Sequence, residues 1–203
     1  GIFKELESKK IKYGVVPIEN SSNGIVNDTI NGFSNFNSKI IAEVVLNIHH
    51  TLATTCDRIS DIKKIYSKDI AFDQCRKFLT NFGLDEVELI PVESTTKAAK
   101  LASNEPNCAA ICPHVAAKLY NLPILFENIE DKDNNKTRFF ILSDFENAPS
   151  GNDKTSILVK FPDEQGVLVR FLNDFNNAGI NLTKIKSHIV EGDSIFFIDF
   201  DGH

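Results

Sequence analysis

The sequence predicts an α/β protein built of two successive units, and three observations support this prediction. Between residues 13 and 142, short β-branched runs alternate with segments of helical periodicity, a pattern typical of largely parallel sheets with crossover helices. Residues 144–153 are polar and contain Pro149 and Gly151, which is typical of a linker. Beyond the linker, the predicted order changes to strand, helix, strand, strand.

The spacing of apolar residues along the chain predicts the helices and strands of the first unit. A short helical end lies within residues 2–10, and the β-branched run that follows it suits a buried strand. Gly24 opens a helix with Asn23 as its predicted N-cap. The predicted elements are strands at 13–18, 40–48, 62–66, 87–91, 108–111 and 137–142, and helices at 24–33, 70–82, 95–103 and 115–120.

The second unit has most of the order of a ferredoxin-like βαββαβ domain. Its helix ends at Gly179, and a tight turn at residues 191–193 joins its last two strands. The last helix and strand of such a domain are absent, so we expect a partial domain and a chain that is a piece of a longer protein. The predicted elements are strands at 155–161, 181–190 and 194–200 and a helix at 167–178.

Composition argues against several classes of function. The formal net charge is -6, with 22 basic and 28 acidic residues and no basic block, which argues against a surface for nucleic acid or an anionic membrane. No apolar run reaches the length of a membrane span, and no leader sequence starts the chain. A cytoplasmic protein is therefore expected.

The cysteines and histidines do not have the spacing of a disulfide framework or a metal site. The four cysteines are irregularly placed, so reduced and mostly buried thiols are expected. His49 and His50 are adjacent at the end of an apolar run and point to opposite faces if that run is a strand. We expect no metal and no organic cofactor.

Three junctions between apolar and polar segments are candidate ligand sites. Residues 19–23 follow a predicted strand and precede a helix whose free N–H groups would attract an anion, although an ordinary capped connection is the alternative. Residues 93–99 place hydroxyls before an alanine-rich helix, where capping is the default role, and Tyr66-Ser67 ends a further strand. In the strand at 136–142, alternation allows only one of Thr137 and Arg138 to face a substrate directly.

Together these segments resemble the prephenate dehydratase family. The matching segments occur in the family's order and approximate spacing, and PIEN and TRF in order are more specific than either alone. The segments are VVPIENSSNG at 15–24, IYSKDIAFDQC at 65–75, ESTTKAA at 93–99 and TRFF at 137–140. The second unit resembles the ACT regulatory domain that follows in that family, through GVLV at 166–169 and NLTKIKS at 181–187.

The resemblance implies a bilobal catalytic domain of the type II periplasmic-binding-protein fold, with its active site between the lobes, and a partial ACT domain. The catalytic domain would span 1–148, with one lobe at 1–47 and 124–148 and the other at 48–123, and the ACT domain would span 154–203. The implied function is a lyase of phenylalanine biosynthesis that converts prephenate to phenylpyruvate with loss of water and carbon dioxide. L-Phenylalanine would be the effector, and a homodimer or higher homo-oligomer is expected.

The resemblance also assigns roles to residues. Thr137 matches the family's threonine and is the predicted catalytic residue, polarising the departing hydroxyl or relaying a proton from water, because its own hydroxyl is a weak acid. The negative charge of Glu19 does not suit the binding of a dianion, so Glu19 is expected to be structural. The alternation of side chains along the predicted strand turns Arg138 away from the face of Thr137. The predicted substrate-binding residues are Asn20, Ser21, Ser22, Thr95, Phe139 and Arg138, and the predicted effector-binding residues are Gly166, Val167, Leu168, Asn181, Leu182 and Ser187.

The chain departs from the family pattern in two places. The family's opening strand and glycine- and serine-rich segment are absent before Gly1, which argues against dehydratase activity in residues 1–203 alone. The family's Glu-Ser-Arg-Pro segment reads Lys-Ser-His-Ile at 186–189, so the acid that would pair with an ammonium group is lost. Weakened or altered effector binding is therefore predicted.

A sensor that binds without catalysis is the alternative function. It would use the same cleft for a small carboxylate or amino acid and would couple it to an ACT dimer. Fold alone does not separate the two functions. PIEN together with TRF favours the enzyme.

Overall fold

The computed structural model describes residues 1–190 and 193–203, and the chain divides into two compact units. Unit 1 comprises residues 1–45 and 138–203, and unit 2 comprises residues 46–137. The helices are α1 (Ile2–Glu7), α2 (Asn27–Asn35), α3 (Asp69–Gln74), α4 (Arg76–Asn81), α5 (Thr95–Ala102), α6 (His114–Leu119) and α7 (Val167–Asn177). The strands are β1 (Gly14–Asn20), β2 (Gly24–Ile25), β3 (Lys39–Asn47), β4 (Thr51–Thr54), β5 (Lys64–Ser67), β6 (Glu88–Pro91), β7 (Cys108–Cys112), β8 (Ile124–Glu127), β9 (Lys136–Ser143), β10 (Lys154–Lys160), β11 (Leu182–Val190) and β12 (Asp193–Asp201).

Unit 1 contains two sheets. The four-stranded sheet has the order β2-β1-β9-β3, and the C-terminal sheet has the antiparallel order β10-β12-β11. This β10-α7-β11-β12 succession is the predicted strand, helix, strand, strand order. Of the predicted turn at 191–193, Glu191 and Gly192 lie outside the described residues.

One apolar core spans both sheets of unit 1. Phe197 of β12 is 2% exposed and belongs to the same cluster as Phe140 of β9, with 6.3 Å between their ring centroids. Burial of an aromatic side chain removes a large apolar area from water, so this packing stabilises the two sheets together. The buried members of the core are Phe3, Leu6, Val16, Ile18, Ile30, Phe140, Leu142 and Phe197.

The polar segment between the sheets, predicted to be a linker, makes specific contacts. The Asn147 amide donates to the carbonyl of Ile41, and the ring of His203 lies 2.8 Å from the Asn147 carbonyl. Asp153 accepts hydrogen bonds from the backbone and hydroxyl of Ser150. Asn147 therefore attaches the segment to the rest of unit 1, and Ser150 and Asp153 hold a turn within it.

Unit 2 contains a five-stranded sheet in the order β6-β5-β7-β4-β8. β5 pairs in parallel with both β6 and β7, whereas β4 pairs antiparallel with β7 and β8. The sequence predicted neither β4 nor β8, although it predicted the equally short strands β5 and β6. The pairing of β8 with β4 also places Ile124–Glu127 in the sheet of unit 2, whereas the sequence assigned those residues to the first lobe.

The predicted helix at 24–33 begins later than expected. Gly24 and Ile25 pair antiparallel with Asn20 and Glu19, so a hairpin occupies these positions, and the helix starts at Asn27. Its N-cap residue is Val26, not the predicted Asn23. The hairpin forms because Gly24 adopts a φ of 78°, a left-handed conformation that favours glycine.

Among the described residues, no helix has the length and hydrophobicity needed to cross a membrane.

Candidate functional site

The polar loop at residues 20–23 is a hairpin turn held by its own asparagine. The Oδ1 atom of Asn20 accepts hydrogen bonds from the backbone N–H of Ser22 at 2.9 Å and of Asn23 at 3.1 Å. Asparagine commonly shapes turns in this way. Because β2 separates the loop from α2, the predicted helix N-terminus beside the loop is not observed. Ser21 and Ser22 are exposed on the turn.

Glu19 is ion-paired with the C-terminal sheet. Its carboxylate forms a close ion pair with Lys184 of β11, and its other oxygen lies 3.8 Å from the Nζ atom of Lys186. The Glu19 side chain is 18% exposed, so these contacts are partly shielded from solvent. Lys186, which replaces the acid of the predicted effector motif, thus lies near the loop that carries Asn20.

Alternation along β9 separates its two candidate residues. Thr137 is 9% exposed and shares its face of the strand with the half-buried Phe139. On the other face, Phe140 and Leu142 enter the core of unit 1, and the guanidinium of Arg138 lies over the Phe140 ring at 4.8 Å. The side chain of Arg138 therefore points away from the face of Thr137.

Two carboxylates of unit 1 hold Arg138. Its Nε atom donates to Glu43 at 2.5 Å, and its Nη1 atom donates to Asp199 at 2.5 Å. Burial alone would lower the pKa of Arg138, but the hydrogen bonds and charges of Asp199 and Glu43 raise it on balance. Arg138 is therefore a buried cation neutralised by the protein's own acids.

In unit 2, the ends of β5, β6 and β7 form one edge of the sheet, which we call the strand-end edge. It includes Ser67, Pro91 and Cys112, at the carboxyl ends of these three parallel strands. Ligands of parallel α/β sheets bind at this kind of edge. A larger cavity, of about 460 Å³, lies at the amino ends of β5 and β6, which makes it the weaker candidate.

A cavity of about 390 Å³ opens at the strand-end edge. This volume lies within the ordinary range of small-molecule sites, roughly 300–1,000 Å³. Lys97 forms an ion pair with Glu93 at 3.0 Å, and Lys68 and Asp69 add one charge of each sign, so the formal charges of the lining balance. The lining residues are Lys68, Asp69, Pro91, Val92, Glu93 and Lys97.

The helix beside this cavity is capped by a hydroxyl, as the sequence predicted. The Ser94 Oγ atom accepts from the backbone N–H of Lys97 at 3.1 Å. Thr95 is the first residue of α5 and is half-buried. The hydroxyl of Ser67, by contrast, is fully buried and donates to the carbonyl of Ile111 at 2.7 Å, which is a structural role.

A second polar cluster beside the start of β4 and the end of β8 was not identified from the sequence. The Nε2 atom of the buried His50 donates to the side-chain oxygen of Gln74 at 2.8 Å. Glu130 accepts from the ring of His49 at 2.6 Å and from the backbone N–H of His50 at 2.9 Å. Within the described part of the chain, the buried Nδ1 atom of His50 has no hydrogen-bond partner. The adjacent histidines were the only sequence signal, because Gln74 and Glu130 are distant along the chain.

Five of the predicted effector residues lie at or next to the starts of α7 and β11, and Ser187 lies within β11. Gly166 precedes α7 with a φ of 78°, and the Asn181 amide donates to the carboxylate of Asp201 at 3.1 Å. Ser187 lies on β11 opposite Phe196. Val167 and Leu168 begin α7, and Leu182 begins β11.

Comparisons with known proteins cover the whole chain. The family model described as prephenate dehydratase matches residues 1–147. The bifunctional chorismate mutase/prephenate dehydratase of Aquifex aeolicus is 42% identical over 205 residues, which span 100% of this chain and 56% of that protein. The prephenate dehydratase of Methanocaldococcus jannaschii is 38% identical over 212 residues, which span 100% of this chain and 75% of that protein.

A solved structure extends the similarity to the fold. The crystal structure of prephenate dehydratase from Arthrobacter aurescens in complex with L-Phe superposes with a TM-score of 0.86 at 33% identity. The superposition covers 98% of this chain and 68% of that one. This chain therefore spans just over half of the bifunctional relative and about two thirds of the solved structure.

Proposed function

Because this chain belongs to the prephenate dehydratase family, we propose that the protein converts prephenate to phenylpyruvate with release of water and carbon dioxide. The observation that carries the proposal is the family match over residues 1–147. That range contains every segment through which the sequence resembles the catalytic domain. The match favours the enzyme over a sensor that binds without catalysis.

The reaction sets two chemical requirements. The bond to the ring carboxylate breaks to give carbon dioxide, and its electron pair moves through the ring as the bond to the ring hydroxyl breaks. The hydroxyl leaves as water after gaining one proton, and the ring becomes aromatic. A donor is therefore needed at the leaving oxygen, and the ring carboxylate must lose its charge in a weakly solvated environment.

Thr137 is the proposed donor. Its low exposure limits competition from bulk water, and its position in a strand whose other face is anchored in the core of unit 1 favours a fixed orientation. The hydroxyl polarises the leaving oxygen or relays a proton from water. Phe139, on the same face, is a proposed apolar wall of the site.

The carboxylates of the substrate need fixed donors. Thr95 at the start of α5, beside the cavity at the strand-end edge, supports a carboxylate site in unit 2. Ser21 and Ser22, carried by the turn that Asn20 shapes, are proposed as further contacts. Arg138 is better explained as a structural cation, because Glu43 and Asp199 already hold it.

The experiment measures phenylpyruvate formed from prephenate by the intact protein. Thr137→Ala is expected to lower kcat by about 100-fold or more, the ordinary worth of a positioned donor, whereas Thr137→Ser should retain part of the activity. Thr55→Ala, at an exposed threonine after β4, is the matched control and should turn over normally. Unchanged turnover in Thr137→Ala would disprove the donor role, and no phenylpyruvate from the unaltered protein would disprove the function.

We also propose that L-phenylalanine is the effector and that it binds less tightly here than the family pattern implies. The solved relative in complex with L-Phe supports the ligand, and Lys186 near Glu19 supports the weakening. Calorimetric titration should show weak binding. Tight, saturable binding that disappears in Gly166→Val would contradict the weakening, since valine is strained at a φ of 78°.

A homo-oligomer formed through the C-terminal sheet is a further part of the proposal. β11 is an edge strand of that sheet, and its Ile185 and Ile189 are 42% and 71% exposed. Exposed apolar edge strands favour pairing between chains. Sedimentation velocity on the intact protein tests the proposal, which requires a species larger than the monomer.

A further inference from the structure

We propose that Asp199, in β12 of the C-terminal sheet, is a positioning residue for Thr137 and acts through Arg138. The inference rests on the proposed function, because it takes Thr137 to be the donor. Asp199 lies outside the range that matches the dehydratase family, residues 1–147. The C-terminal sheet would therefore supply part of the support of the catalytic strand.

Asp199 is fixed by two hydrogen bonds. The residue is 1% exposed; its Oδ2 atom accepts from Arg138 at 2.5 Å, and its Oδ1 atom accepts from the Ser156 hydroxyl at 2.6 Å. Both carboxylate oxygens are thus occupied by groups of two other strands, β9 and β10. A buried carboxylate with both oxygens bonded has little freedom to move.

Arg138 also contacts two other side chains of unit 1. Glu43 of β3 accepts from its Nε atom, and the other oxygen of Glu43 lies 2.8 Å from the Nζ atom of Lys154 in β10. The guanidinium also covers the Phe140 ring. Four strands from two sheets therefore converge on one buried cation.

This arrangement bears on Thr137 because the two residues are adjacent on β9. Their side chains leave opposite faces, so a rotation of the backbone that releases Arg138 also turns the Thr137 hydroxyl. A displacement of about 1 Å at a catalytic group can cost on the order of 100-fold in rate. The Arg138–Asp199 pair is placed to prevent such a displacement.

The experiment compares Asp199→Asn with Ser156→Ala in the intact protein. The first variant removes the charge that holds Arg138, and the second removes the partner of the other carboxylate oxygen. We expect Asp199→Asn to lower kcat by about 10- to 100-fold with KM nearly unchanged, because the donor acts in the transition state. Ser156→Ala should have a much smaller effect. A double-mutant cycle combines Asp199→Asn with Arg138→Gln. The double variant should have a kcat no lower than that of the slower single variant, because each change removes the same Arg138–Asp199 ion pair.

A second measurement does not depend on turnover. Amide hydrogen exchange in residues 136–143 should be faster in Asp199→Asn than in Ser156→Ala. If the unaltered protein forms no phenylpyruvate, the proposed function is disproved. The amide hydrogen exchange rates of residues 136–143 then still show whether Asp199 holds β9 in place. If the unaltered protein is active and Asp199→Asn keeps its kcat, the positioning role is disproved.

If Asp199→Asn does not fold, a third variant, Glu43→Gln, tests the proposal. Glu43→Gln weakens the hold on the same guanidinium at a side chain that is 34% exposed, so the fold is expected to tolerate it. A fall in kcat at constant KM would support the proposal. An unchanged kcat, or a change in KM alone, would overturn it.

Discussion

Glu130 is a residue whose ionisation is coupled to the folded structure. Its side chain is 3% exposed and accepts hydrogen bonds from the ring of His49 and the backbone of His50. Burial by itself would raise the pKa of this carboxyl, but the hydrogen bonds from His50 and His49 lower the pKa below its ordinary value of 4.5. The folded state therefore favours the charged form of Glu130.

This preference predicts a dependence of stability on pH. A carboxyl whose pKa is lowered in the folded state stabilises that state above pH 4.5, its unfolded value, and the contribution is lost as the pH falls through the folded value. Glu130→Gln should cost about 1–3 kcal/mol of unfolding free energy at pH 7, because the backbone N–H of His50 and the ring of His49 lose a charged acceptor. Its stability should then fall less steeply below pH 4.5 than that of the unaltered protein.

Urea unfolding at a series of pH values measures both effects. Glu86→Gln, at an exposed glutamate, is the matched control and should follow the unaltered protein. If the unfolding free energy of Glu130→Gln and of the unaltered protein falls equally steeply with pH below 4.5, the lowered pKa of Glu130 is refuted.

Among the elements, the interruption between α3 and α4 shows how a distant residue ends a helix. The apolar pattern predicts one helix at 70–82, but the helix breaks at Cys75. Asp131 lies at the break: its backbone N–H donates to the carbonyl of Gln74 at 2.6 Å, and its carboxylate accepts from the N–H of Lys77 at 3.0 Å. Asp131 thereby satisfies groups that each helix end would leave free.

Removal of this cap should destabilise unit 2. We expect Asp131→Ala to lower the unfolding free energy by about 1 kcal/mol, the ordinary worth of a side-chain cap, and Asp131→Asn to restore most of the loss. Thermal and urea unfolding measure the change. Asp133→Ala, at an exposed aspartate two residues away, is the control, and an equal loss in that variant would contradict the capping role.

In the molecule as a whole, the core of unit 1 joins the four-stranded sheet to the C-terminal sheet. Phe197 enters the cluster formed by residues of α1, β1, α2 and β9, and Leu158 of β10 packs against it. Together with the Arg138–Asp199 and Glu19–Lys184 ion pairs, this core makes the C-terminal sheet part of one compact unit. The division into a dehydratase domain at 1–148 and an ACT domain at 154–203 stays a prediction.

The shared core predicts cooperative unfolding of unit 1. Phe197→Ala should cost about 3–5 kcal/mol, because it removes a buried aromatic ring from between two sheets. Hydrogen exchange should show equal loss of protection in β9 and β12. Phe145→Ala, at a side chain that is 41% exposed, is the control. Loss of protection in β12 alone would show that the two sheets unfold separately.

The sequence by itself determined the family, the α/β class and most of the elements. The family match and the solved relative confirm the resemblance and its type II periplasmic-binding-protein fold. These features were predictable because they depend on local order: β-branched runs, hydroxyl caps such as Ser94, and motifs whose residues are close along the chain. The roles assigned to Thr137 and the other site residues stay predictions until they are measured.

Only the tertiary structure decided the contacts between distant residues. Asp199 reaches Arg138 across 61 positions, and Glu19 reaches Lys184 across 165, so no local pattern could reveal either ion pair. The same reason explains the break at Cys75, which Asp131 stabilises, and the short strand β4, which is a strand because its neighbours pair with it. Local propensity favours helices and strands at particular positions along the chain. Burial and hydrogen bonding between these elements determine where each element ends and which charged side chains form ion pairs.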